Sequence, residues 1–183
     1  MALSAVNIIG DVTQLLEDLL AGLSPSISPP DGLTLGTNEK GKINIYLYQV
    51  LESPHGKNST WRVGPGGERE YPPLALKLYY LLTPYGADLL TEHHILGDAM
   101  RVLYDHGMVR DADLPESLRL VTDQVAIILM PLQLEELTRI WSALQSAYRL
   151  SVAYEVRVVP IRSTIVEPMP RRVETKIDRY ALR

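Results

Sequence analysis

Apolar and polar positions alternate without a break along residues 74–83. Leu74, Leu76, Leu78, Tyr80 and Leu82 point one way, and Ala75, Lys77, Tyr79, Leu81 and Thr83 point the other. Apolar and aromatic residues on both faces predict a central strand, covered on one side and partly covered on the other. Pro73 and Pro84 are expected to bracket it, because proline lacks the N–H that a ladder needs. A second strand is predicted over 43–51, where Ile43, Ile45 and Leu47 alternate with Asn44, Tyr46, Tyr48 and Val50. The longest alternation sets Leu150, Val152, Tyr154, Val156 and Val158 against Ser151, Ala153, Glu155, Arg157 and Val159, and it is the natural partner of the first strand. Leu78 and Val156 fall on its buried face. Shorter apolar runs at 118–121 and 125–130 also have strand character, with a bulge or turn between them.

Three stretches switch to a period of three and four. Ala5, Ile8, Ile9, Val12, Leu15, Leu16, Leu19 and Leu20 predict an amphipathic helix over 4–21, with Ser4 as N-cap and Gly22 as stop. Leu89, Leu90, His93, Leu96, Met100, Leu103 and Tyr104 predict a second over 86–106, ended by Gly107, with His106 well placed at its C-terminus. Leu134, Leu137, Ile140, Trp141 and Leu144 predict a third from Pro131 to about residue 148.

Between these elements lie a connector over 24–41 rich in proline, glycine and serine, with at most a short strand at 33–35, and an insert over 52–71 too long for a tight hairpin. Residues 111–116 read as a polar connector. The tail has Pro168 and Pro170 and no helical stripe, so it reads as an extended arm. The expected fold class is therefore α+β, a mixed sheet of about four strands packed against three helices, with an extended C-terminal arm. The expected organisation is one domain over 1–161 and the arm over 162–183.

Composition fits this picture. A chain of 183 residues that is 46% apolar and 22% charged can bury one good core, so a single domain is expected. No uncharged apolar run approaches the ~18 residues of a membrane span, and MALSAVNIIG has no basic region ahead of its apolar residues, so a cytosolic origin is expected. Absence of cysteine removes disulfides, thiolate metal sites and cysteine nucleophiles together. The net charge of −4 hides an asymmetry. Arg162, Arg171, Arg172, Lys176, Arg179 and Arg183 against Glu167, Glu174 and Asp178 leave the tail at +3 and the rest of the chain at −7. Nucleic acid is a poor partner for so acidic a body.

Candidate chemistry is sparse. Gly64–Glu68 lacks the Lys-Ser/Thr of a phosphate loop and follows no apolar strand, so it reads as a turn. His93 and His94 are adjacent, which a helix turns about 100° apart, and neither has a histidine four residues away; no metal site is expected. Glu92 with His93 and Glu135 with Glu136 are ordinary helix-surface neighbours. Asn58-Ser59-Thr60 matches a glycosylation acceptor that a cytosolic chain does not use. With no nucleophile elbow, zinc-protease motif or dinucleotide fingerprint, no enzyme activity and no cofactor are expected. Trp61 stands in the polar insert, where its indole needs its own core, a neighbouring subunit or a partner to cover it. Arg171 and Arg172 offer charge-assisted contacts, and Val173, Ile177 and Tyr180 are apolar anchors in an otherwise polar run.

The N-terminal helix, the block PPLALKLYYLLTPY, the helix containing EHHILGDAMRVLYDH and the block MPLQLEELTRIWSALQSAYRLSVAYEVRVVPI together resemble the tail-terminator or cap family of contractile injection systems. These are phage-tail-like particles of the Photorhabdus virulence cassette and antifeeding prophage types. The resemblance runs over nearly the whole chain, and the two long blocks are its specific part. It implies a ring, a hexamer, seated on the last layer of sheath and inner tube, where it stops further addition. Partners would be the chain itself and the sheath and tube proteins, with Trp61 and the five tail residues as candidate contacts. Assembly in the cytoplasm, as part of a particle that is released or anchored, would follow. A different class remains open at this point, a non-ring adaptor that binds a partner segment by strand addition.

Overall fold

The computed structural model describes residues 7–30, 41–54, 62–63, 68–70, 74–161 and 166–168. In chain order these form helix α1 (Ile8–Leu19), strands β1 (Pro25–Ile27), β2 (Lys42–Glu52), β3 (Arg62–Val63), β4 (Arg69–Glu70) and β5 (Leu74–Tyr85), then helix α2 (Leu89–Asp105). Strand β6 (Met108–Arg110), the short helix α3 (Glu116–Arg119), β7 (Gln124–Met130), α4 (Leu134–Ala143), β8 (Val152–Ile161) and β9 (Val166–Glu167) complete the order.

Six strands build the main sheet in the order β1-β2-β5-β8-β7-β6, and β5 lies near its middle. The β1/β2 pair is parallel and every other ladder is antiparallel. Two register shifts bend it. One falls between Leu47 and Gln49 on β2, so that Tyr48 has no partner and Val50 comes opposite Leu78; the other falls at Leu76/Lys77, where β8 carries the extra residue Val158. A second, three-stranded sheet has the order β3-β4-β9.

Alternation along β5 divides the core as predicted. Leu76, Leu78, Tyr80 and Leu82 join Ile43 and Ile45 of β2, Tyr154 and Val156 of β8, and Val125 and Ile127 of β7 on one face. Ile8, Val12, Leu15 and Leu16 of α1, Ala99 and Leu103 of α2, and Leu118 of α3 cover that face. Thr13 of α1 reaches a polar atom on this face, its Oγ1 lying 2.9 Å from the Tyr80 hydroxyl. The opposite face carries Tyr79, Leu81 and Thr83, with Ala153 and Glu155 of β8, all buried. Trp141 of α4 is buried outside the first cluster, and its indole N–H donates to Ser151 Oγ at 3.0 Å.

The expected α+β class holds, and the strand and helix counts rise. The edge strands β1 and β6 have three residues each, too short to show a period of two. β1 falls inside the stretch read as a connector, and the possible strand at 33–35 lies outside the described residues. Residues 118–121, read as strand, instead contribute to α3 and the turn after it. Pro115 stands at its N-cap, and Leu118 is buried with no exposure, so one anchor residue served a helical turn as well as it would a strand. Pro84 does not stop β5 but lies within it, opposite Ile43. β8 pairs with β5 only up to Leu82, so beyond that point β5 has one neighbour and tolerates a residue without an N–H.

Helix ends are set by side chains. Asn7 Oδ1 accepts from Gly10 N at 3.3 Å at the start of α1; Ser4 lies outside the described residues. Asp88 Oδ1 accepts from Thr91 N at 2.7 Å at the start of α2, and these hydrogen bonds hold its carboxyl below the ordinary range. His106 is the C-cap of α2, its Nδ1 2.9 Å from the Val102 carbonyl. Gly41 is required by close approach, since a Cβ there would lie 2.9 Å from the Tyr85 carbonyl oxygen and 2.1 Å from Ile95 Cδ1 of α2.

Candidate assembly surfaces

Three places on this scaffold gather polar or apolar side chains that the core does not absorb. The first is a charge cluster on the α4-bearing face of the sheet. Glu155 of β8 is 3% exposed, its carboxylate 3.2 Å from Lys77 Nζ and hydrogen-bonded by Arg157 Nε. Desolvation pushes this carboxyl up, and the hydrogen bonds and charges of Arg157 and Lys77 together outweigh it, so the group ionises below the ordinary carboxylate range. The Tyr48 and Tyr79 rings lie beside it, 6.2 Å apart, and burial pushes the Tyr48 hydroxyl up. Arg157 keeps nearly half of its side chain in solvent.

The second place ties three elements at the other end of β5. Arg149, just before β8, bonds to Glu92 of α2 at 2.5 Å and lies 4.5 Å above the Tyr85 ring. Tyr85 in turn donates to the Pro30 carbonyl. Glu92, read from the sequence as an ordinary helix-surface neighbour of His93, is partly buried in its ion pair with Arg149, while His93 is exposed. Among the described residues no three His, Asp or Glu side chains come together as a metal site, and no helix is long and apolar enough to cross a membrane.

The third place joins the insert to the tail. β9, in the tail, pairs antiparallel with β4, which pairs with β3, so two segments distant in sequence share one small sheet. Its register sets Arg62 opposite Glu70 and Val63 opposite Arg69, and then Arg69 opposite Glu167 and Glu70 opposite Val166. Sequence periodicity had no means of finding this, because two-residue strands carry no period. Trp61, Arg171, Arg172, Val173, Ile177 and Tyr180 all lie outside the described residues.

The described residues thus form an antiparallel-rich α+β layer with helices on both faces of the sheet and the base of the tail paired with the insert. The chain belongs to the Pvc16 N-terminal domain family, which it matches over residues 11–175. Its fold is similar to that of the sheath/tube terminator of an extracellular contractile injection system, PVC, in the extended state, with 19% identity and a TM-score of 0.68 over 94% of this chain. It is also similar to the tube-terminating cap of the anti-feeding prophage, with 16% identity and a TM-score of 0.62 over 93% of this chain. The chain spans 64% and 61% of the lengths of those two chains. No curated protein matches it.

Proposed function

We propose that this protein is the cap of a contractile injection system, a ring of six copies that seats on the last layer of sheath and inner tube and stops their polymerisation. The observation that carries this reading is the family match over 11–175, joined to a fold shared with a sheath/tube terminator and with a tube-terminating cap. The job itself is a matter of surfaces. A growing tube repeats one interface, and a terminator matches that interface on one side while presenting nothing equivalent on the other. Such a protein needs no catalytic group and no cofactor. It would be assembled in the cytoplasm as a component of the particle.

Within this reading the insert and the tail are the parts that meet other molecules. The tail carries +3 against an acidic remainder of −7, and Arg171 and Arg172 supply charge-assisted contacts while Val173, Ile177 and Tyr180 supply burial. Trp61 is the corresponding aromatic anchor in the insert. The test is to image particles carrying this protein at the end away from the baseplate. A six-membered ring is expected there, and a single copy or a pair would contradict it.

A further inference from the structure

The small sheet is built from the same three runs of chain that stand side by side in the main one. β2 leads to β3, β4 leads to β5 and β8 leads to β9, and the run that is central in the one, β2-β5-β8, is central in the other, β3-β4-β9. Both ladders are antiparallel and nearly in register. β5 and β8 pair as far as Leu74 and Ile161; after residues 71–73 on one run and 162–165 on the other, β4 and β9 pair again at Glu70 and Val166. The difference of one residue amounts to one further register shift.

This continued ladder passes the end of the core. β2 stops opposite Leu76, and β7 pairs with β8 only from Arg157 inward. Along the core face of β5 exposure rises from 0% at Leu78 and 6% at Leu76 to 44% at Leu74. Beyond that point the three runs form an arm. Its last row sets Val63, Arg69 and Glu167 abreast. The connection 64–68 leaves the arm from this row at Val63, and the tail leaves it from the same row at Glu167. Two stretches far apart in sequence thus start from one place. The tail brings charge to it, since Arg171, Arg172, Lys176, Arg179 and Arg183 against Glu174 and Asp178 leave residues 169–183 at +3.

We propose that the end of this arm, with the tail leaving from it, is one contact surface for an acidic protein surface on the last layer of the particle, and that β9 stays on β4 of its own chain to hold the two parts together. An acidic partner is the match for a segment of this charge. Two linked contacts bind more tightly than either alone when their spacing suits the partner. β9 belongs to its own chain's insert because the same two runs are already paired at Leu74 and Ile161, a few residues away. The inference rests on the cap reading and names the surface by which the cap attaches.

Co-sedimentation of the full chain with preassembled sheath and inner tube tests it. The chain has no cysteine of its own, and facing residues of an antiparallel pair have Cα atoms about 4.5–5.5 Å apart, within the ~4.4–6.8 Å that a disulfide spans. Arg69→Cys with Glu167→Cys should therefore form a disulfide inside one chain, and the locked protein should be retained on the particles as wild type is. Val166→Pro with Glu167→Pro removes whichever ladder N–H groups β9 supplies. That variant should keep its melting midpoint and lose about tenfold or more in retention. Wild-type retention should fall when salt is raised from about 0.1 to 1 M, which cuts the Debye length from about 10 to 3 Å. A disulfide between two chains, no disulfide in the folded protein, or a locked protein that is not retained would overturn the inference. Full retention of the proline variant, a lowered midpoint that places the arm in the core, or retention indifferent to salt would overturn it as well. Wild type that is not retained on sheath and tube at any salt would overturn the cap reading itself.

Discussion

Leu78 of β5 and Val156 of β8 stand directly opposite each other across the central antiparallel ladder, and neither exposes any surface. Both lie under the helices that cover this face, where the packing leaves little room to relax. Leu78→Ala should destabilise the fold by about 2–5 kcal/mol, as truncation of a buried leucine does. Urea unfolding with an unchanged midpoint would contradict the face assignment.

Tyr80 lies on the same face, and burial pushes its hydroxyl up to about 12, an effect partly offset by Thr13. Because the folded value exceeds the unfolded one, the stability linked to this proton is complete below about pH 10 and is lost as pH rises toward 12. Tyr80→Phe should cost about 0.5–1.5 kcal/mol at neutral pH through the lost hydrogen bond. It should also flatten the alkaline fall in melting midpoint. A parallel fall in variant and wild type would assign the alkaline loss to other groups.

On the opposite face Glu155 gives the acid-side counterpart. Its carboxyl ionises below the ordinary range when folded, so its contribution is present above the unfolded value, about 4.3, and is lost as pH falls through the folded one. Glu155→Gln should therefore be less stable than wild type at pH 7, and the gap should close as the solution is acidified. A gap that stays constant with pH would mean that the loss is one of packing, independent of the ion pairs with Lys77 and Arg157.

The sequence made the long elements legible and the short ones invisible. β5, β2 and β8 announce themselves because nine or ten residues of alternation leave one reading, and the pairing of β5 with β8 agrees with their matched apolar faces. β1 and β6 are held in the sheet by their neighbours and have no pattern of their own. The bulges at Tyr48 and Val158 reverse the faces of the residues beyond them, which is why Val50 comes opposite Leu78 although strict alternation sets it with Asn44 and Tyr46. On α2, Leu89, Leu90 and Tyr104 look like core by composition. Tertiary packing turned a neighbouring arc of the helix inward, and that choice depends on Ala99, a residue too small to stand out in a hydrophobic pattern. The union of β4 with β9 was equally hidden, because it depends on two segments almost a hundred residues apart.

Beyond Glu167 the tail should act between molecules. Deleting residues 169–183 removes Arg171, Arg172, Val173, Ile177 and Tyr180 and spares the β4/β9 pairing. The truncated chain should keep its melting midpoint and lose ring formation or attachment to particles. Unfolding of the truncated chain would make the tail part of its own core, and full assembly without it would make the tail dispensable.

Termination is the central claim, and the length distribution of particles assembled with and without this protein tests it most directly. With the protein, electron micrographs should show tubes and sheaths of one narrow length. Without it they should show tubes and sheaths of uncontrolled, broadly distributed length. The same narrow distribution in both preparations would contradict the account.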